Sequence, residues 1–224
     1  MSLHVNHWTI DRVLLIDDDK SVREAYHYPV EECGLEPKSF EGKISSLEEF
    51  VKNTTANGVD AAICDHHLMV RDYSIVNGAE LVAALYKNNF PALLCTKWEA
   101  ARAEEIRKFR RYIPVMISPS DLNPDVIELG LGQCIREFYG EMVPSRKPWR
   151  TLIRVEDVDE PDSPQRRLYV IVPAWDQNEV VALIMKDLPE HIRDQVKPGF
   201  RCYAEVNIGA EEEKDLYFVS WAAG

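Results

Sequence analysis

Short apolar runs alternate with amphipathic stretches over residues 12–143 of this chain. Each run is bounded by polar or acidic residues, which is typical of strands buried in a parallel sheet. The stretches between them repeat apolar residues three and four positions apart, as helices with one buried face do. The predicted strands cover residues 12–16, 36–40, 59–65, 91–96 and 113–118. Five successive β-α units predict an α/β fold with a doubly wound, five-stranded parallel sheet.

The predicted helices between these strands carry recognisable start and stop signals. Pro29 should kink or shorten a helix over residues 20–33. A capping box at residues 45–48 starts a helix that should end before Asn57 and Gly58. The remaining predicted helices cover residues 78–88, 99–111 and 124–138.

The pattern changes after residue 142, which predicts a second domain. Residues 143–150 hold two prolines and show no periodicity, so we interpret them as a linker between a domain over 1–142 and one over 151–224. Such a series of short strands predicts a small, mostly antiparallel β domain, either an open sheet or a barrel. The strand-like runs in it cover residues 151–155, 167–172, 180–185, 201–208 and 216–221.

The net negative charge of the chain indicates which classes of partner are unfavourable. The chain has 26 Lys and Arg against 38 Asp and Glu, for a net charge of −12. Residues 151–224 hold eight Lys and Arg and fifteen Asp and Glu, a net charge of −7. Such a field repels phosphate backbones and anionic lipid, so we expect neither nucleic acid nor membrane as a partner.

The cellular compartment is indicated by the cysteines and by the N-terminus. The five cysteines are scattered without a CxxC pair, which is typical of reduced thiols in a cytoplasm. Residues 1–8 lack the basic start and apolar middle of a signal peptide, and no apolar run reaches the ~18 residues of a membrane span. We therefore expect a cytoplasmic protein.

Polar residues, most of them acidic, stand where three of the predicted strands end. They are, in chain order, Asp17, Asp18, Asp65 and Thr96. The carboxyl ends of parallel strands lie at one edge of a sheet, where ligands of α/β proteins bind. Carboxylates crowded at such an edge repel one another and favour a hard cation such as Mg²⁺. The simpler interpretation of an acid at a strand end is a cap on the next helix, which Asp19 is well placed to be.

The same residues carry a family resemblance. The runs RVLLIDDDKSVR, DAAICDHHLM, NGAELVAAL and PALLCT, in this order and spacing, resemble the receiver domains of two-component response regulators. The resemblance covers residues 12–142. It implies a flavodoxin-like fold for these residues and a regulatory phosphoacceptor rather than an enzyme with turnover.

The resemblance also implies roles for single residues. Asp17 and Asp18 match the acidic pair that holds Mg²⁺, and Asp65 matches the phosphoacceptor, which is also a ligand of the metal. His67 matches the residue whose main-chain carbonyl completes the metal shell. Thr96 matches the hydroxyl that turns toward the phosphorylated aspartate. The implied cofactor is Mg²⁺, and the implied partner is a sensor histidine kinase or a small phosphodonor.

Two departures from the family pattern concern the switching mechanism. Ser118 stands where the family has a lysine at the end of the fifth strand, although Pro119 after it is kept. A serine hydroxyl is neutral and cannot form an ion pair with a phosphoryl group. Val115 replaces the expected aromatic switch residue. Lys97 could replace the lysine, but a solvated lysine at a helix start is the simpler interpretation.

Three functions fit these residues. The first is a phosphorylation switch that acts on the β domain, with a protein partner on the Glu99–Arg111 helix face and room for a homodimer. In it, Trp98 should lie near the pocket and report Mg²⁺ binding by fluorescence. The second is a scaffold for protein interaction that is not phosphorylated. The third is a haloacid-dehalogenase-like phosphatase with Asp17 as nucleophile and Asp19 as acid/base. Its remaining motifs would be Thr96, Asp121 and Asp125.

Overall fold

The chain folds into two compact units, and one of them is assembled from two separate stretches of sequence. A computed structural model describes residues 2–97, 103–163 and 165–224. The first unit contains the described residues of Met1–Trp98 and Tyr112–Met142. The second unit contains those of Glu99–Arg111 and Val143–Gly224.

A five-stranded parallel sheet forms the centre of the first unit. Its strand order is β4-β3-β5-β6-β7. The strands are β3 (Arg12–Ile16), β4 (Glu36–Ser39), β5 (Ala61–Cys64), β6 (Ala92–Cys95) and β7 (Met116–Ile117). This order and direction confirm the predicted doubly wound α/β fold. Strand β7 is shorter than predicted, because Pro114 has no N–H to donate to a sheet.

Among the described residues, three helices of this unit connect strands β3 to β6, and a fourth follows β7. They are α1 (Lys20–Glu32), α2 (Leu47–Ala56), α3 (Gly78–Lys87) and α5 (Pro124–Phe138). Helix α1 continues through Pro29 for another turn, so this proline does not shorten it. Helix α2 is capped by Ser46 and is followed by Gly58 with φ of +70°, a conformation that favours glycine, as the stop signal predicts.

The core of this unit includes an N-terminal hairpin that the sequence did not predict. Strands β1 (Leu3–Val5) and β2 (Trp8–Ile10) pair in antiparallel fashion. Ile10 is fully buried, and the indole ring of Trp8 lies 6.0 Å from the ring of Phe138 on α5. The hairpin thereby extends the apolar cluster under the parallel sheet.

An open antiparallel sheet forms the second unit. Its order is β10-β9-β8-β11-β12, so β10 and β12 are its edges. The strands are β8 (Trp149–Val158), β9 (Arg167–Val172), β10 (Asp176–Ile184), β11 (Arg201–Val206) and β12 (Phe218–Ala223). A one-turn helix, α6 (Glu190–Arg193), precedes β11. Alternate residues of the central strands point into an apolar cluster of their own.

The boundary between the domains differs from the prediction. Strand β8 already begins at Trp149, within the predicted linker, and Arg146 is buried. The guanidinium of Arg146 donates to the main-chain carbonyls of Arg110 and Arg111, at 3.2 and 2.9 Å. Residues 143–150 are therefore part of the second unit rather than a linker.

The structure also differs from the prediction of a charged helix over Glu99–Arg111. Its described part forms only the short helix α4 (Ala103–Arg107), followed by a 3-10 turn at Arg110–Tyr112. Arg107 and Arg110 are both buried against carboxylates of the second unit. These two side chains are thus occupied within the chain and do not form the open partner surface that we expected.

No helix among the described residues combines the length and the apolar character needed to span a membrane. All five cysteines carry free thiols, and four of them are buried.

Candidate functional site

The strand register brings the predicted site residues to one edge of the parallel sheet. Ile16 lies beside Cys64, Cys64 beside Leu94, and Cys95 beside Ile117. The residues that follow these strand positions at that edge are Asp17, Asp65, Thr96 and Ser118. Two main-chain hydrogen bonds extend the pairing, from Asp65 N–H to Ile16 O at 2.8 Å and from Thr96 N–H to Ile117 O at 2.9 Å.

Asp17 is a buried carboxylate that other carboxylates destabilise. It is only 4% exposed, and it accepts a hydrogen bond from the N–H of Asp19 at 2.8 Å. Its pKa is raised from the ordinary 3.8 to about 6, mainly by burial and also by the charges of Asp65, Asp18 and Asp19, while that hydrogen bond acts to lower it. This position therefore favours either a proton or a cation near neutral pH.

Asp65 lies beside this group and is half-buried. Its carboxylate accepts a hydrogen bond from the N–H of His67 at 2.6 Å, which fixes its orientation. Burial raises the pKa of Asp65, main-chain hydrogen bonds from His67 and His66 lower it, and the charge of Asp18 raises it. The charge of Asp18 is thus among the causes that raise the pKa values of both Asp17 and Asp65.

The donor set suits Mg²⁺ held through a partly hydrated shell. Among the described residues, no three or more His, Cys, Asp or Glu side chains form a ready-made metal cluster. Mg²⁺ does not need one, since it keeps several waters and is commonly held by one or two carboxylates. The repulsion between Asp17 and Asp65 is what such a cation would relieve. The metal-binding carbonyl of His67 stays a prediction.

Thr96 provides a buried hydroxyl at the same edge. Its residue is 3% exposed, and its Oγ1 has no hydrogen-bond partner within the described part of the chain. A buried polar atom without a partner costs about 1–3 kcal/mol. Such an atom in a folded protein needs an explanation, and a catalytic role is one of those that apply to buried polar groups.

Ser118 lies at the edge as predicted, but its hydroxyl is engaged nearby. Its Oγ is 2.8 Å from the Oγ of Ser120. Lys97 has an exposed side chain, and no contact places it at the carboxylates. Trp98, our expected fluorescence reporter, lies outside the described residues.

Gly78 is a site residue that was not predicted. A Cβ at this position would lie 1.8 Å from the main-chain oxygen of Asp65, far inside the contact distance of real atoms. The N–H of Gly78 donates to the carbonyl of His66 at 2.9 Å. Helix α3 can therefore approach the backbone of Asp65 this closely only with glycine here. A glycine in the first turn of a predicted helix, where it has poor propensity, was the available signal.

Arg23 was also missed. It is buried in α1, and its guanidinium donates to the main-chain carbonyl of Asp17 and lies 3.7 Å from the carboxylate of Glu41. It thus holds the turn between β3 and α1 that presents the acidic run. In the sequence it lies one turn into α1 among polar residues, and this pattern is typical of an exposed helix face.

In the phosphatase alternative, Asp19 is the acid/base residue, and Asp121 and Asp125 belong to the last motif. Asp19 caps α1, where its carboxylate accepts from the N–H and the hydroxyl of Ser21 at 2.8 and 2.7 Å. Asp121 and Asp125 are exposed on the segment before α5 and in its first turn. Asp19 has a structural role, which weakens its proposed role as acid/base.

Solved structures of receiver domains resemble part of this chain. A receiver domain protein from Clostridium thermocellum is 14% identical, with 59% of this chain and 100% of that chain covered and a TM-score of 0.43. A receiver domain protein from Methanospirillum hungatei is 18% identical, with 57% and 98% covered and a TM-score of 0.42. The receiver domain of a Francisella response regulator is 17% identical, with 57% and 98% covered and a TM-score of 0.41. No protein-family model and no curated protein sequence matches the chain. The fold assignment rests on the strand order and register described above.

Proposed function

We propose that this protein is a Mg²⁺-dependent phosphoacceptor switch that is phosphorylated on Asp65 and regulates its C-terminal β unit. The observation that supports it most is the arrangement around Asp65. An electrostatically destabilised carboxylate, Asp17, lies on one side, and the partnerless buried hydroxyl of Thr96 belongs to the next strand on the other side. In this function the fold, the acidic run after β3 and helix α3, which begins within the sequence NGAEL, each have a role.

The proposed chemistry is a transfer of one phosphoryl group. An Asp65 carboxylate oxygen attacks the phosphorus of the donor, and an acyl phosphate forms. With acetyl phosphate, the bond from phosphorus to the bridging oxygen breaks and acetate leaves with the electron pair. With a histidine kinase, the phosphorus–nitrogen bond breaks instead and the imidazole leaves. Asp17, Asp18, Asp65 and the carbonyl of His67 would hold Mg²⁺, which would supply positive charge to the transferred oxygens.

Thr96 and Ser118 would then read the new group. The phosphoryl oxygens are strong acceptors, and the Thr96 hydroxyl can donate to them and so gain the partner it lacks. Ser118 can donate a hydrogen bond but not an ion pair, once it leaves Ser120. We therefore expect a weaker hold on the phosphoryl group than a lysine would give.

The partners follow from this chemistry. The phosphodonor is a sensor histidine kinase or a small acyl phosphate, and both are found with Mg²⁺ in the cytoplasm. The net charge of −7 over residues 151–224 favours a protein rather than DNA as the target of the β unit.

Mass spectrometry after incubation with acetyl phosphate and Mg²⁺ tests the proposal. We expect wild type to gain ~80 Da on Asp65, the mass of one phosphoryl group, in an acid-stable and base-labile form. Asp65→Asn should gain nothing, whereas Asp125→Asn, which removes an exposed carboxylate elsewhere, should behave as wild type. An unmodified wild type, under conditions that label an ordinary receiver domain in parallel, would contradict phosphorylation.

One observation favours the second candidate function, a scaffold that is not phosphorylated. Ser118 replaces the expected lysine, and its hydroxyl is already bonded to Ser120. In that case the carboxylates are structural, and the same experiment gives no adduct at any Mg²⁺ concentration.

A further inference from the structure

Three basic side chains line one small cleft in the second unit. They belong to Arg166, Lys186 and Arg193, and the cleft has a volume of about 210 Å³. No Asp or Glu is among the described residues that line it. Residues 151–224 carry a net charge of −7, so a group of positive charges without an acidic neighbour is an exception in this unit. We call Arg166, Lys186 and Arg193 the basic cleft.

The pairing of two strands brings the first two of these residues together. Arg166 directly precedes β9, and Lys186 lies two residues after the end of β10. Ile184 pairs with Arg167, and the N–H of Met185 donates to the carbonyl of Arg166 at 2.9 Å. The antiparallel register therefore fixes the backbone on both sides of the cleft.

A buried neighbour fixes the third residue. Arg193 is the last residue of α6, and Ile192 before it is fully buried in the apolar cluster of this unit. The N–H of Arg193 donates to the carbonyl of Pro189 at 2.9 Å. Met185, which also lines the cleft, is 5% exposed. The cleft is thus built on backbone that the core of the unit holds in place.

The charges of the basic cleft are not neutralised within the described part of the chain. None of its three side chains forms an ion pair with a described residue, whereas the adjacent Arg167 pairs with Glu104. The Nε of Arg166 donates to the carbonyl of Asp159 at 3.1 Å, which orients this half-buried guanidinium. Its two terminal nitrogens have no hydrogen-bond partner among the described residues. A guanidinium oriented in this way offers its remaining donors at little further loss of side-chain freedom.

We propose that the basic cleft binds a small phosphate, either the inorganic ion or a phosphate monoester. A phosphate has three oxygens that can each meet a cation from a different element, whereas a carboxylate has only two. The guanidinium fork matches phosphate oxygens, and Lys186 adds a mobile point charge. All residues of the basic cleft belong to the second unit, so the site needs no phosphorylation of Asp65.

The size of the cleft restricts the ligand further. Pockets for drug-sized ligands measure about 300–1,000 Å³, and the basic cleft is smaller. This volume favours a free ion or a short ester over a nucleotide. A doubly charged anion would also relieve the repulsion among the three cations, which act on one another at close range.

Calorimetric titration of the full chain with inorganic phosphate at low ionic strength tests the proposal. We expect wild type to bind phosphate, and Arg166→Gln and Arg193→Gln each to weaken binding by about ten-fold or more, because each removes a charge-assisted hydrogen bond. Arg166→Lys keeps the charge and loses the fork, so it should lie between wild type and Arg166→Gln. Arg201→Gln is the matched control. It removes an exposed positive charge from β11, outside the cleft, and should change binding by less than about two-fold.

Amide NMR spectra of the same proteins locate the site and report folding. Phosphate should shift the amide signals of residues 166, 185, 186 and 193 in wild type. Loss of binding by a variant whose spectrum otherwise matches wild type then comes from the missing cation and not from unfolding. No binding by wild type, or equal binding by Arg166→Gln and Arg201→Gln, would overturn the proposal.

Two further probes define the class of ligand. Tighter binding of glycerol phosphate than of inorganic phosphate would assign an organic phosphate, and the reverse order would assign the free ion; both support the site. Malonate, a small dicarboxylate, separates phosphate recognition from attraction to negative charge. Binding of malonate as tight as that of phosphate would overturn the assignment to phosphate.

Discussion

The two units contain buried charges of opposite kinds. In the first unit, Asp17, Asp18 and Asp65 carry like charge at one edge of the sheet, and burial, together with the neighbouring carboxylates, raises the pKa of Asp17 to about 6. In the second, burial raises the pKa of Glu213 while Arg107 lowers it, and burial lowers the pKa of Arg107 while Glu213 raises it. The second cluster is electrostatically complete within the chain, whereas the first is not.

This difference distinguishes a cluster that stabilises the fold from a cluster that is suited to binding a proton, a metal ion or a substrate. A complete buried ion pair holds an element in place, and loss of one partner is costly. A cluster of like charges lowers stability and is retained where a proton, a metal ion or a substrate completes it. We therefore assign chemistry to the acidic edge of the parallel sheet and a mechanical role to the Arg107 cluster.

Breaking the complete cluster should have the largest effect. Arg107→Ala leaves the Glu213 carboxylate and two main-chain carbonyls without their buried donor, and we expect a loss of about 3–5 kcal/mol in the free energy of unfolding. Urea denaturation followed by tryptophan fluorescence measures it. Lys108→Ala, on the same helix but in a more exposed pair, should cost at most ~1 kcal/mol. Similar losses in both variants would remove the contrast between the clusters.

Removing a charge from the incomplete cluster should raise the free energy of unfolding rather than lower it. Without Mg²⁺ at pH 7, we expect Asp17→Asn to raise the free energy of unfolding by about 1–3 kcal/mol, because it removes a buried charge with a raised pKa. In wild type, the stability from protonating Asp17 is fully present below pH 3.8 and is lost as the pH rises through about 6. The gain in the variant should therefore disappear on acidification through this range.

Denaturation curves from pH 4 to pH 7 check this second prediction. Asp125→Asn changes an exposed carboxylate, so its free energy of unfolding should depend on pH as that of wild type does over the whole range. A less stable Asp17→Asn at pH 7 would mean that this carboxylate has a stabilising partner after all.

The smallest effect concerns the hydroxyl beside the acids. Thr96→Val keeps the shape and removes an atom without a partner, so we expect a gain of up to ~1 kcal/mol in the free energy of unfolding. Thr55→Val removes a hydroxyl that is bonded to the carbonyl of Val51 at 3.0 Å, and it should be neutral or slightly destabilising. Thermal denaturation of the two variants compares them. Destabilisation by Thr96→Val would show that its hydroxyl is already satisfied.

The parallel sheet and its acidic edge could be predicted because they depend on local patterns. Strands β3, β5, β6 and β7 lie in apolar runs, whereas β4 has the polar sequence EPKS; the parallel order of β3, β5 and β6 then places Asp17, Asp65 and Thr96 at the same edge. The hairpin at residues 3–10 could not be predicted in this way, since strands of three residues carry almost no periodicity.

Long-range partners account for what the sequence did not reveal. The charges on residues 103–111 resemble a solvated helix face, and nothing local indicates that Arg107 pairs with Glu213, more than a hundred positions away. The need for glycine at position 78 likewise comes from a backbone atom of another element. Solvent exposure and close approach are properties of the folded chain, so a single sequence indicates them poorly.

The interleaved composition of the second unit limits how this protein can be cut or recombined. A truncation after residue 142 would leave Arg107 and Arg110 in one fragment and their carboxylates in the other. A chimaera in which the chain after residue 142 is replaced would keep Arg107 and Arg110 without the carboxylates that pair with them. Exchange of whole modules would require moving residues 103–111 together with the tail, so the two units can be expected to evolve as a pair.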